Sequence, residues 1–208
     1  MRSMTVFLAL ALAATLQTLP RASANPAAAD PHAPLAIASA RVTLDGTSNI
    51  HPFTASSAMV RVIAMDVGGT PPGDLLDYVL QPGGLTAFEV AIPTTTLSSP
   101  REGVDKNMHK ALKAPEFADI RFKLGAIAPA TGGGYRAVGR LTIAGVEKEV
   151  TLNVQARRNN SALAVTATTD LLMTDYGITP PKALMGMLKT DPKVQIRIEL
   201  VLDASPST

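Results

Sequence analysis

The 208-residue chain has no cysteine and no tryptophan, and only five Phe, three Tyr and three His. Lack of cysteine removes disulfides, a thiolate nucleophile and any thiol that could carry a lipid, so stability has to come from a packed core. HExxH and paired Cys or His at ligand spacing are missing as well, and no metal or other cofactor is expected. The glycine-rich stretches VGGTPPGD and TGGGY lack the spacing of a phosphate-cradling loop between a strand and a helix, and they read as turns. GxSxG is absent, so a serine triad has no recognisable elbow.

Charge is sparse too. Nineteen Lys+Arg stand against 17 Asp+Glu, and removal of Arg2 and Arg21 with an N-terminal leader leaves 17 against 17. That balance, with the basic residues scattered, suggests neither a nucleic-acid partner nor an anionic membrane surface.

What is present begins with Arg2, the apolar run VFLALALAA and the small residues Ala22 to Ala24. This order predicts a signal peptide over residues 1–24, cleaved after Ala24, and a periplasmic or secreted mature protein. No later apolar run has transmembrane length, so no integral membrane segment is expected after processing. Residues 25–34, NPAAADPHAP, read as a flexible leader in which His32 has no role. Residues 35–204 are long enough for one domain.

Period two dominates that domain. In DIRFKLGA, Ile120, Phe122 and Leu124 alternate with Arg121 and Lys123, and in EVTLNVQAR, Val150, Leu152 and Val154 alternate with polar residues. YRAVGRLTI and KVQIRIELVLD behave alike, and runs near 35–44, 50–66, 85–92 and 161–172 bring the expected count to eight strands. The short turn stretches TGGG, AGVEK and RNNS predict hairpins, hence antiparallel neighbours. Two stretches depart from the pattern and predict short helices: REGVDKNMHKALKAPEF, ended by Pro115, and TPPKALMGMLKTDP, with Leu184, Met187 and Leu188 at helical spacing. Eight such strands can close as a sandwich or as a barrel, and small residues such as Ala137, Gly139 and Ala167 either leave room inside or pack against larger partners.

The ordered segments GTSNIHPF, IPTTTLSS, VDKNMHKALKAPEFADIRFKL, GRLTIAGVEKEVTLNV and DYGITPPKALMGMLKTDPKVQIRIEL resemble the YceI-like family over about residues 35–203. The resemblance implies an all-β, eight-stranded antiparallel lipocalin-like β-barrel with one or two short helices. It also implies an exported, non-enzymatic binding protein holding a polyisoprenoid or fatty-acyl amphiphile in an apolar tunnel. Each buried methylene contributes about 0.8 kcal/mol, so an isoprene unit offers roughly 3 to 4 kcal/mol before ordering costs. The expected apolar wall is Phe53, Met59, Phe88, Phe122, Ala137, Leu141, Ile143, Leu152, Val165, Ala167 and Ile196. The expected mouth or lid is His51, Leu184, Met185, Met187 and Leu188, with the methionines adaptable.

Other readings remain at this stage. His51 is either a head-group donor or a side chain satisfied by a backbone carbonyl or Asp45. His109 follows Asp105 by four positions, a spacing that fits an oriented imidazole base or a surface helix contact. An alternative function is an envelope stress or interaction protein with a filled barrel, binding a protein partner through TPPGDLLDYVLQPGG. Homo-oligomerisation is left open.

Overall fold

In the computed structural model, residues 35–101, 103–183 and 187–204 are described. Among these residues ten strands and two helices follow in chain order: β1 (Leu35–Ser48), β2 (Phe53–Ser57), β3 (Arg61–Val67), α1 (Leu75–Tyr78), β4 (Leu85–Pro93), α2 (Val104–Ala111), β5 (Asp119–Pro129), β6 (Tyr135–Ile143), β7 (Val146–Asn159), β8 (Ala162–Leu172), β9 (Lys182–Ala183) and β10 (Leu188–Ala204). Short 3-10 turns occupy Thr94–Thr96 and Met173–Tyr176. The sheet runs β2-β1-β10-β8-β7-β6-β5-β4-β3, antiparallel throughout, with β9 pairing β10.

The strands at the two ends of that order are consecutive in sequence, so the sheet curls back on itself into a barrel-like wall. Residues 50–66, expected as one strand, form β2 against β1 and β3 against β4. The bend between them is held by Ser57, whose hydroxyl accepts the Met59 N–H at 3.0 Å and meets the Thr96 hydroxyl at 2.7 Å. Ser56 and Ser98 exchange both backbone hydrogen bonds, which joins β2 to the segment after β4. Toward the other end no strand pairing links β1 to β3; there Leu35, Ile37, Met65 and Val67 pack against the same cluster as α1.

Turn chemistry explains the pairings. Ala144 and Gly145, at φ of 49° and 79°, make the two-residue β6–β7 turn, as primed hairpins require. Gly139 faces Phe122 from the neighbouring strand, and a Cβ there would lie 2.5 Å from the Lys123 carbonyl oxygen and 2.6 Å from the ring. The phenyl group therefore occupies space that any side chain at 139 would need.

α2 forms where the REGVDKNMHKALKAPEF stretch predicts a helix, after a left-handed Gly103 at φ 82°. Of the second expected helix, residues 184–186 lie outside the described residues, and strands flank them at Lys182–Ala183 and from Leu188 onward. Lys182–Ala183 pairs instead with Leu188–Lys189 as β9 against β10, because two extended segments joined by a short connection satisfy each other's backbone across a ladder. The other helix is α1, inside the stretch expected as an exposed partner loop. Asp74 caps it, accepting N–H groups from Leu76 at 2.9 Å and Asp77 at 3.3 Å. The Arg158 guanidinium grips the same carboxylate at 2.6 and 2.7 Å, which fixes α1 to β7. Leu76, Val79 and Leu80 are thereby buried with Leu35, Leu163 and Leu202. These residues make a floor to one end of the barrel.

Candidate functional site

Between the floor and α2 lies a cavity of about 570 Å³, within the range typical of small-molecule sites. Strand alternation builds its wall: Ile120, Phe122 and Leu124 from β5, Ala137, Leu141 and Ile143 from β6, and Leu152 and Val154 from β7. Val165 and Ala167 from β8 and the run Val194, Ile196, Ile198, Leu200 and Leu202 from β10 continue it. Phe53, Phe88, Val90 and Ile92 complete the circuit. Phe53 is held by its cross-strand partner Gly46, where a Cβ would strike the ring; glycine opposite an aromatic is a recurrent way of seating the ring.

The two ends differ in chemistry. Val79, Leu80 and Leu85 bound the cavity at the floor. At the opposite end the lining contains Ser48, His51, Arg101, Asn107, Tyr176, Lys182 and Thr190, and Arg101 and Lys182 also reach solvent. Among the described residues, every polar lining side chain apart from Thr169 belongs to this end, and none of them is Asp or Glu. The site is thus an apolar sleeve with a sealed base and a polar mouth.

α2 lies at the mouth, contributing Val104, Asn107, Met108 and Ala111 to the lining. It is strapped by two side chains. His109 Nε2–H donates to the Leu97 carbonyl at 2.8 Å, and Asp105 accepts the Ser99 N–H at 2.7 Å. The pair that could have been a base and its orienter is therefore committed to separate backbone groups. His51 lines the mouth, where its Nδ1–H donates to the Pro52 carbonyl at 3.2 Å. Asp45, the other expected partner of His51, accepts from the Thr54 hydroxyl instead.

Tyr176 is 3% exposed, and its hydroxyl has no hydrogen-bond partner among the described residues. Burial, aided by the negative charge of Asp175, pushes its pKa up to about 12. The phenol consequently stays protonated at neutral pH and keeps a proton to donate.

The sequence profile of the YceI-like domain matches residues 51–202. The chain belongs to the YceI-like family. No curated protein matches it. Among solved structures it is similar to BcnA of Burkholderia cenocepacia at TM-score 0.62 and 17% identity, covering 78% of this chain and 95% of that one. A polyisoprenoid binding domain from Saccharophagus degradans, implicated in plant cell wall breakdown, aligns at TM-score 0.57 and 12% identity, over 82% and 98%. The YceI protein of Campylobacter jejuni aligns at 0.53 and 14%, over 71% and 82%. At these identities the likeness establishes the lipocalin-like barrel alone.

Within this YceI-like barrel, Phe53, Phe88, Phe122, Ala137, Leu141, Ile143, Leu152, Val165, Ala167 and Ile196 all line the cavity, as does His51. Met59 does not. It is 54% exposed because the Ser57 bend breaks the alternation, and Val60 takes the inward place. Met187, expected in a lid, is 68% exposed and outside the lining; its carbonyl accepts from the Asn49 side chain at 2.8 Å. Leu184 and Met185 lie outside the described residues, and of Leu188 only the backbone pairing with Ala183 is described. Sequence reading did not single out Arg101, Asn107, Tyr176 or Lys182. Tyr176 did leave a signal: one of three tyrosines, it sits in DYG at the end of a strand, where an exposed turn would favour a smaller polar residue.

Proposed function

We propose that the protein binds a long apolar amphiphile, a polyisoprenoid or fatty-acyl chain, tail inward in the barrel with its polar group at the α2 end. The observation that carries this reading is the cavity of about 570 Å³ with an apolar wall and all but one of its polar side chains at the mouth. Membership of the YceI-like family supports it, and so does the likeness to a polyisoprenoid binding domain. The same reading makes the protein a binder rather than an enzyme, since Asp105 and His109 each serve a backbone partner. The partner-docking alternative has less support: Leu76, Val79 and Leu80 of its proposed loop are buried in the floor.

We further propose export to the periplasm or medium, with cleavage after Ala24, on the strength of the N-terminal sequence. Native mass spectrometry of the protein purified from its cell envelope without detergent, followed by organic extraction, tests the binding reading. A discrete bound mass that extracts as a prenyl or acyl chain is the expected result. An apo protein that also refuses added prenyl and acyl chains would exclude it. N-terminal sequencing of the same material is expected to begin at Asn25.

A further inference from the structure

Strand register gives the apolar sleeve a depth. On β10 its lining runs from Val194, paired with Leu171 near the mouth, to Leu202, paired with Leu163 at the floor. Those eight steps cover about 26 Å along the strand at ~3.3 Å per residue. A barrel tilt of roughly 35–45° projects them to about 20 Å along the axis. An extended chain of single bonds advances about 1.2 Å per bond, as the polypeptide does at ~3.5 Å for each three-bond residue, so about 17 bonds span the sleeve. The volume agrees. A cavity of about 570 Å³ holds about 19 groups the size of a water molecule at ~30 Å³ each, and a methylene is close to that size.

The far end is fixed. Leu35, Leu76, Val79 and Leu163 are each no more than 2% exposed, and α1 is pinned from two directions. Its cap Asp74 is gripped by both arms of Arg158. The turn that follows packs backbone on backbone, since a Cβ on Gly84 would collide with the Tyr78 carbonyl and one on Gly68 with that of Gly83. The seam between β1 and β3, where no strand pairing closes the wall among the described residues, is filled at this end by Leu35, Ile37, Met65 and Val67. A tail that reaches the floor therefore has no side exit there.

We infer that the barrel selects its guest by length: it takes a single tail of about 16 to 20 carbons, acyl or about four isoprene units, and Val79, Leu80 and Leu85 at the floor set the limit. This rests on the amphiphile-binding reading and adds the size class of the guest. Up to the limit each further methylene is buried, which strengthens binding by up to about fourfold. Beyond it the added carbons stay in water at the mouth or fold back into space already filled, and they bring no gain. A polyisoprenoid twice that length would leave half of its units outside the wall.

The test is a length series on the delipidated full chain. Saturated fatty acids of eight to twenty-four carbons, in steps of four, and prenols of two, four and eight isoprene units compete with a fluorescent acyl probe, each below its micelle concentration. Affinity is expected to climb at least tenfold for each step up to sixteen carbons, then to level or fall between twenty and twenty-four. The four-unit prenol should bind at least as tightly as the eight-unit one. Two floor variants should move the limit in opposite directions. Leu80→Ala should raise the affinity of the twenty-four-carbon acid relative to the sixteen severalfold, and Leu85→Phe should lower that of the sixteen relative to the twelve severalfold. Leu85 is only partly buried, so it keeps the comparison open should Leu80→Ala fold poorly, and far-UV circular dichroism checks both. A general loss of stability would weaken all lengths alike and leave these ratios unmoved. Affinity that keeps rising through twenty-four carbons, or an unchanged length profile in a folded floor variant, overturns the inference while leaving chain binding intact. Failure of every chain to bind removes the amphiphile reading itself.

Discussion

At the residue scale, space and proton position decide what the cavity can do. Ala137 and Ala167 are buried small residues on the lining. Replacing either with Phe puts a ring into open volume, so stability should change by less than the usual overpacking cost of about 1–3 kcal/mol. Binding of a prenyl or acyl chain should nevertheless weaken at least tenfold in a calorimetric titration, and full binding by a folded variant would take that residue off the binding surface. Gly139→Ala is expected to do the reverse, since its Cβ would displace Phe122: denaturant midpoints should fall by the equivalent of about 1–3 kcal/mol. Tyr176 predicts a pH effect. Folding raises its pKa from 10.0 to about 12, so the folded state holds a proton that the unfolded state releases first. Its contribution is complete below pH 10 and is lost as pH climbs towards 12. Denaturation series across that interval should show a falling stability component that Tyr176→Phe abolishes. These inward residues were legible in the sequence where a strand alternates without interruption, as at Phe122 or Ile196. Met59 was misplaced because the Ser57 hydroxyl bends the chain two residues earlier, and no periodicity announces a side chain capturing a backbone N–H.

At the element scale, α2 and α1 hold opposite ends by different means. α2 is tied to the 97–99 segment through His109 and Asp105. His109→Ala leaves the Leu97 carbonyl without that partner, at about 1–3 kcal/mol. The expected phenotype is quicker release of a bound chain in stopped-flow displacement, with hydrolysis of simple esters no different from the parent protein. α1 depends on Asp74, whose carboxyl the Arg158 guanidinium holds below its ordinary value of 3.8. Because the folded pKa is the lower one, this carboxylate supports the fold above pH 3.8 and its support fades as pH falls through the folded value. Asp74→Asn should therefore lower the melting temperature at pH 7 and converge with the parent in stronger acid. An unchanged difference at low pH would show that the ion pair is not the cause. Both helices carried local signals of different quality. VDKNMHKA has helical spacing backed by tertiary contacts, and α1 has an aspartate cap before a leucine pair. TPPKALMGMLKTDP has equally good spacing, yet Lys182–Ala183 pairs with Leu188–Lys189, and backbone pairing there outweighs propensity.

For the whole molecule, the seven long strands β1, β4, β5, β6, β7, β8 and β10 and the antiparallel hairpin pairing from β5 to β8 were readable because hairpin turns and alternation are local. The way the sheet curls was not readable, since it depends on one segment changing partners between β1 and β4. The presence of a cavity was equally out of reach, because small wall residues are compatible with either a filled or an open interior. Occupancy should register in global stability. A chain present at about a hundred times its dissociation constant adds about 2.7 kcal/mol, which at this size raises the melting temperature by roughly 5–10 °C. Scanning calorimetry of delipidated and reloaded protein measures it. The sealed base then has a directional consequence. With Leu35, Leu76, Val79 and Leu163 closing one end, a guest can leave only along the path by which it arrived. Every loaded copy would present the same chemical group outward, so a downstream acceptor could recognise the cargo by its tip without opening the container.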